Sequence, residues 1–571
     1  MIDDVCEKDL MECDLLVLGA GAGGLGASAV ACRSGLDVIL AEKEPVVGGT
    51  AARSGGVVWV PNTRQAIEAG IDDSREDALT YVRGFAGNCY NELIVNAYLD
   101  NGPHAIDFYE RETELQFDLQ ATFPDYYAEA NGGIAGGRSL LARDFNGRQL
   151  GGDIKKLRGT LPGGSFHGLQ IGVADYGYFL TALRSLTSFR YVAREMVNLA
   201  LDKARNGRSM RLKNGNALVA RLVATLRKQQ VKIVTSTPAR SLIIENGDVK
   251  GAVIIFHGKP IAVRARKGVV LATGGFPHDR ERVAEVLPEV TQNPYMWRLI
   301  PNGNVGDGAR LAESAGGYLD TRMKKGSSLV PIIQTEDGEA QTGGFPNFMR
   351  HFPGMIAVLA NGTRFVNETL SYHGFCLGMQ EAGADTAYII ADHRSLRRYG
   401  IGRVHPFPVP ITRHLRSGEL IRGRTLMELG EAAGIDPSAL TQTVARFNEN
   451  ARKHVDPDFH RGSTIYAAAY GDPTAPHPNL APLVKAPFYA MKVHVGSLGT
   501  FAGIAINENA QVIDANRRPI TGLYAVGNDS ASFTGGNYIG AGITLGPALT
   551  FGFIAAHHAA GKPVRHTVRS R

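Results

Sequence analysis

The sequence predicts an α/β protein built on a Rossmann-like dinucleotide-binding domain, and three observations carry that prediction. A glycine motif near the N-terminus sits between an apolar strand and a helix of small residues. The length, 571 residues, exceeds one ordinary domain and fits two or three. Glycine is in excess, 69 of 571 or about 12% against roughly 7% in average usage. That excess gathers in short patches rather than repeats, as it does where backbone approaches a ligand.

The N-terminal motif runs CDLLVLGAGAGGLGASAVACRSGLDVILAEKE from Cys13. An apolar strand, Leu15 to Leu18, enters G-x-G-x-x-G at Gly19, Gly21 and Gly24. Gly19 permits the tight turn, Gly21 lets a pyrophosphate reach the backbone, and Gly24 lets helix and strand pack closely. The helix N-terminus attracts the phosphate charge. A second strand ends in Glu42, 18 residues after Gly24, where an acid accepts hydrogen bonds from ribose hydroxyls. A lone G-x-G-x-x-G is weak; strand, glycines, helix, strand and acid in order are specific.

Composition excludes several classes. The five cysteines form no C-x-x-C pair and leave one odd, which fits a reducing compartment. The acidic start runs straight into a strand, so no signal peptide is expected. No stretch approaches the ~20 apolar residues of a membrane span, so a cytoplasmic location is expected. The 16 histidines and five cysteines show no metal-ligand spacing. The net charge of +6 is uneven: Gly152 to Lys213 holds 11 Lys/Arg against 4 Asp/Glu, a local +7. No nucleic-acid-binding module accompanies it, so a nucleic-acid partner is not expected.

Three further stretches identify the dinucleotide. KEPVVGGTAARSGGVVWVP follows Glu42 directly, with Gly48, Gly49, Thr50, Ser54, Gly55 and Gly56. GVVLATGGF (Gly268 to Phe276) is a strand ending in Ala-Thr-Gly-Gly, and GLYAVGND (Gly522 to Asp529) lies near the end. Together they resemble the flavin-binding elements of the fumarate reductase-like flavoproteins. The resemblance implies FAD, held noncovalently because no histidine stands in an attachment context. It assigns Ala239, Thr273, Gly274, Gly527, Asn528, Gly542, Thr544 and Leu545 to the cofactor as well. It also implies a split architecture. Residues 1–285 and 485–571 would form the FAD-binding domain, and 286–484 an inserted, α+β catalytic domain that caps the substrate. Read alone, ANGTRFVNETLSYHGF (Ala360 to Phe375) is a hairpin at Asn-Gly, with Arg364 and Glu368 expected to form a structural ion pair.

Within that superfamily the chain resembles the 3-ketosteroid Δ1-dehydrogenases. FPDYYAEANGG…GRSLLARDFNGRQLG (Phe123 to Gly151), NETLSYHGF (Asn367 to Phe375) and NYIGAGITLGPALTFGFIAA (Asn537 to Ala556) carry the likeness. The resemblance implies that the Tyr538 hydroxyl and the Gly542 N–H bind the 3-keto oxygen. It makes Tyr372 the base toward the C2 proton, with hydride passing from C1 to flavin N5 and then to an external, quinone-like acceptor. An assisting tyrosine is Tyr126 or Tyr127, with Tyr126 preferred because Phe123, a substrate contact, precedes it by three. Such donors at a developing oxyanion supply about 3–4 kcal/mol each. A free tyrosine, with a pKa near 10, is a poor base and needs help from its surroundings. Ile539 and Ala541 stand where many relatives carry proline, so proline does not restrain this loop.

The basic segment departs from the family pattern. Tyr178 to Leu201 has apolar residues three and four apart, a helical spacing. With its charge, this helix fits peripheral contact with an anionic membrane; a cover over the site mouth or a subunit contact are the other readings. The alternatives for function are a Δ4-(5α)-dehydrogenase of 3-ketosteroids, a soluble fumarate or urocanate reductase, and a binding protein that has lost its flavin.

Overall fold

The structure is a computed structural model. It describes every residue except 1, 4, 5, 162–164, 167, 173, 174, 184, 288–292, 295, 298, 324, 334–348 and 566–571. Part of the basic segment thus lies outside the described residues.

The chain begins as its N-terminal motif requires. Strand β1 (Glu12–Leu18) leads into α1 (Ala22–Arg33) and then β2 (Val38–Ala41), which pairs with β1 in parallel. Ten consecutive residues of α1, Ala22 to Ala31, are buried. Only small side chains let a helix be covered on all sides in this way. A second helix, α2 (Leu186–Asn206), comes from the basic segment and is amphipathic. The first sheet is completed by β3 (Lys232–Val234), β4 (Ala239–Glu245), β5 (Asp248–Phe256) and β6 (Lys259–Leu271). Its order is β3-β2-β1-β6-β5-β4, parallel from β3 to β6 and antiparallel beyond.

The middle of the chain builds a separate antiparallel sheet. Its strands are β7 (Ser327–Ile332), β8 (Met355–Val358), β9 (Thr386–Asp392), β10 (Ile421–Gly423) and β11 (Phe488–Thr500). Between β8 and β9 runs helix α3 (Tyr372–Glu381). The order is β7-β11-β9-β8, with β10 alongside β11. Strand pairing therefore carries the inserted sheet to Thr500, past the sequence-based boundary at 484, because β11 is its central strand. The chain then returns to the first sheet through β12 (Gln511–Ile513) and β13 (Pro519–Ala525), the latter parallel to β6. It ends in α4 (Leu545–Ala559), which packs on α1 and brings the GGNYIGAGITLG loop back to the first glycine motif.

Candidate functional site

One cavity gathers the glycine patches and the tyrosines. Its wall runs from Glu42, Lys43 and Ala239 past Gly19, Gly21 and Gly23 to Gly49, Thr50 and Ser54 through Val57. It continues along Thr273, Gly274, Gly527 and Asn528 and ends among Phe123, Tyr126, Tyr372, Tyr538, Gly542, Thr544 and Leu545. Two expected residues, Gly24 and Gly48, do not line it. Both shape it from behind: a Cβ on Gly24 would meet the Gly19 carbonyl oxygen at 1.9 Å, and one on Gly48 would meet the Ala52 side chain at 2.8 Å.

The cofactor end fits a dinucleotide. Gly21 caps the N-terminus of α1, and a Cβ there would meet nothing within 4 Å, so the backbone faces open space where a pyrophosphate would lie. The Glu42 carboxylate accepts from Ala20 N at 2.7 Å and Glu44 N at 2.9 Å. These bonds hold it rigidly at the cavity wall, while burial raises its pKa. Thr273 is fixed by Asp529, a buried carboxylate that accepts from Thr273 Oγ1 at 3.0 Å and Gly275 N at 2.9 Å. Asp529 ends the GLYAVGND stretch and clamps the Ala-Thr-Gly-Gly turn. It was not singled out in the sequence, because the contact spans more than 250 residues.

At the other end three tyrosine rings meet. Ring centroids lie 5.4 Å apart for Tyr126 and Tyr372, 5.0 Å for Tyr372 and Tyr538, and 5.7 Å for Tyr126 and Tyr538. The Tyr372 hydroxyl is hydrogen-bonded to both of the other hydroxyls. Tyr127 points elsewhere: it stacks on Phe85 at 4.6 Å and bonds Ser371. Phe123 lies at the rim beside Tyr470, 6.0 Å between rings. Burial holds the hydroxyls of all three clustered tyrosines above the ordinary phenol pKa.

The Tyr538 loop is pinned without proline. The Ile539 carbonyl accepts from Tyr126 N at 3.0 Å and from the Tyr81 hydroxyl at 2.7 Å. The Ala541 carbonyl accepts from Ser139 Oγ at 3.0 Å, and the Gly542 carbonyl from Trp59 N at 3.2 Å. A Cβ on Gly540 would stand 2.5 Å from the Trp59 ring, so only glycine allows the loop to lie on that indole. Gly542 has a φ of +98°. Gly542 lines the cavity just before α4, and its N–H has no acceptor among the described residues.

Beneath the loop lies a buried ionic support. Asp125 accepts from Trp59 Nε1 and Arg138 Nη1, both at 2.7 Å, and Arg138 also binds Asp73. Burial pushes the Asp125 carboxyl up to about 6 even so. Sequence reading passed over Trp59, Asp73, Asp125 and Arg138, although Asp125 directly precedes Tyr126. Arg364 and Glu368 form the expected ion pair, with two contacts of 2.8 Å, extended by Asp456 and Arg461 and away from the cavity lining.

Comparison with known proteins gives the family. A family model described as an FAD binding domain matches residues 14–545. A 4-oxocyclohex-2-ene-1-carboxylate 5-dehydrogenase from Sinomonas cyclohexanicum is 38% identical, covering 97% of this chain and 95% of that protein. A 3-oxosteroid 1-dehydrogenase from Mycobacterium tuberculosis is 36% identical, covering 96% and 99%. The crystal structure of 3-ketosteroid delta1-dehydrogenase from Sterolibacterium denitrificans, in complex with 1,4-androstadiene-3,17-dione, is 34% identical. It superposes with a TM-score of 0.89 over 96% of this chain and 99% of that one. The chain belongs to the FAD-binding-domain family of flavoproteins, and it is an FAD-dependent oxidoreductase of the group that includes the 3-oxosteroid 1-dehydrogenases.

Proposed function

We propose that the protein removes hydrogen from C1 and C2 of 3-ketosteroids. The observation that carries this reading is that Tyr538 and Gly542, whose N–H has no acceptor among the described residues, both line one cavity that also holds the cofactor groove. Both donors aim at one ketone oxygen. They stabilise the enolate that develops there and so acidify C2. Tyr372, hydrogen-bonded to Tyr126, first gives up its own hydroxyl proton to solvent and then, as the tyrosinate, takes the C2 proton on its oxygen. The C2–H electron pair becomes the new double bond as hydride leaves C1. When bound, FAD supplies the hydride acceptor, and an external quinone-like acceptor reoxidises it.

The substrate class rests on the walls. Beyond the tyrosines the lining is Phe123, Leu161, Leu299, Val330, Tyr470 and Leu498, a surface suited to a hydrocarbon skeleton. The two arginines in the lining are engaged: Arg53 donates to the Leu299 carbonyl at 2.9 Å, and Arg158 pairs with Glu44. The likeness to a 4-oxocyclohex-2-ene-1-carboxylate dehydrogenase supports a second reading, a small ring ketone bearing a carboxylate. Competition assays separate the two: kcat/KM for androst-4-ene-3,17-dione should exceed that for the carboxylate by orders of magnitude, with a 1,4-diene product. A preference for the carboxylate, or a double bond placed elsewhere, overturns the steroid reading.

The basic segment is read as a peripheral contact with anionic lipid. Leu186, Phe189, Val197 and Leu201 of α2 are 46–65% exposed, with Leu183 beside them. Among the described residues Arg190, Arg194 and Arg205 of the same helix have no ion-pair partner. Lys156, Arg158, Arg211 and Lys213, by contrast, are spent in ion pairs. Exposed apolar side chains interleaved with free cations match a charged bilayer surface. Co-sedimentation with phosphatidylglycerol vesicles should fall sharply in Phe189→Glu/Val197→Glu protein; equal pelleting rejects the contact.

A further inference from the structure

Arg350 lies 1% exposed, in the inserted domain, with no carboxylate at its guanidinium among the described residues. Nη2 donates to the Leu370 carbonyl, two residues before Tyr372, while Nε and Nη1 have no hydrogen-bond partner among the described residues. Its guanidinium sits 5.2 Å from the centre of the Phe375 ring. A buried cation without an anion is costly, and most folds pair it or remove it.

Among the described residues the surroundings supply no hidden countercharge. Arg461 donates to the Arg350 carbonyl, but Arg461 and Arg364 are balanced by Glu368 and Asp456, two cations against two anions. Cys376, on α3, faces the guanidinium as a thiol whose pKa burial has raised well above its usual value. His351 packs its ring 5.4 Å from Tyr466 and 5.7 Å from Tyr470. Among the described residues Tyr466 and Tyr126 also interact electrostatically with Arg350. Their rings are 4.9 Å apart, and Tyr126 is hydrogen-bonded to Tyr372. Burial brings the Arg350 pKa down to about 10, so the guanidinium is charged at neutral pH.

We propose that Arg350 is a positioning residue for the reaction: its buried guanidinium is the countercharge for a tyrosinate held within the cluster of Tyr466, Tyr126 and Tyr372. This resolves the two unfavourable features together. Three phenols pushed away from ionisation by burial gain the positive charge they need, and the unpaired cation gains its anion when Tyr372 is readied to take a proton. Tyr466 and Arg350 lie outside the cavity lining, so they act on the substrate only through Tyr126 and Tyr372. The inference rests on the reading of Tyr372 as the proton acceptor.

The test compares holoenzyme, Arg350→Met and Arg350→Lys. The first readout is the pH dependence of anaerobic flavin reduction by androst-4-ene-3,17-dione. The second is the titration of 13Cζ-labelled tyrosines in the substrate-free holoenzyme, with Tyr466→Phe and Tyr126→Phe as assignments. In Arg350→Met the acid limb of the rate profile should move up by at least one pH unit, a tenfold loss at any pH below it. The cluster tyrosine signal should shift with it. Arg350→Lys should recover most of both, since it keeps the charge while losing the planar fork. A uniform rate loss with an unmoved limb and unmoved tyrosine titration makes Arg350 a mere clamp on Leu370 and overturns the proposal. So does an Arg350→Lys that behaves as Arg350→Met. If no ketosteroid reduces the flavin yet the tyrosine titration still depends on Arg350, the countercharge stands and the substrate reading falls.

Discussion

Tyr538 and Gly542 were legible as a pair because they share one short loop, four residues apart in a run of glycines. What the sequence could not convey is how that loop is held. Pinning comes from Trp59, Tyr81, Tyr126 and Ser139, all four from segments more than 400 residues away. Tyr126 is distinguished from Tyr127 only by which ring turns toward Tyr372, a tertiary fact. At this scale, Tyr538→Phe should lower the rate of flavin reduction by about 10²–10³ through loss of one oxyanion donor, with FAD content unchanged. Rapid-reaction absorbance with a flavin assay checks it, and a wild-type rate removes Tyr538 from the ketone. Gly540→Ala puts a methyl 2.5 Å from the Trp59 ring. Substrate binding should therefore weaken while the nucleotide end stays intact, read as a raised Kd for substrate with an unchanged Kd for FAD.

Among elements, β1, α1 and β2 follow from pattern alone: each glycine of the motif meets a local need in the turn it occupies. The inserted sheet was less legible. Strand β11 lies next in sequence to the returning half of the FAD domain, yet its partners are β7, β9 and β10. Alternation of apolar residues marks a strand but not its neighbours. The Trp59–Asp125–Arg138–Asp73 support is invisible for the same reason, since its members come from separate elements and only folding joins them. Removing Asp125 leaves Arg138 buried with one carboxylate fewer. Asp125→Ala should thus cost about 3–5 kcal/mol of stability, seen in denaturant unfolding, and should loosen Tyr126 with it. A variant as stable as wild type contradicts the role given to this network.

For the molecule as a whole, pH reads the balance of buried ions. Burial alone would raise Glu368 and Asp456, but Arg364, Arg461 and backbone donors together outweigh it and hold both carboxyls below their usual values. A depressed folded pKa gives stability that is complete above the unfolded value, about 4, and is lost as pH falls through the folded one. Unfolding free energy should therefore drop on the acid side of about pH 4, and a flat profile down to pH 3 would contradict it. The two sheets, the return of β13 and the packing of α4 on α1 serve one end: they bring residues 123–126, 372 and 538–542 to a single groove. The most direct measurement of that account is anaerobic mixing of the holoenzyme with androst-4-ene-3,17-dione, following flavin absorbance and product mass in wild type and Tyr372→Phe. Wild type should bleach with formation of one equivalent of the 1,4-diene, and Tyr372→Phe should bleach slower by orders of magnitude while still carrying FAD. No bleaching in wild type, or equal bleaching in both, would contradict it.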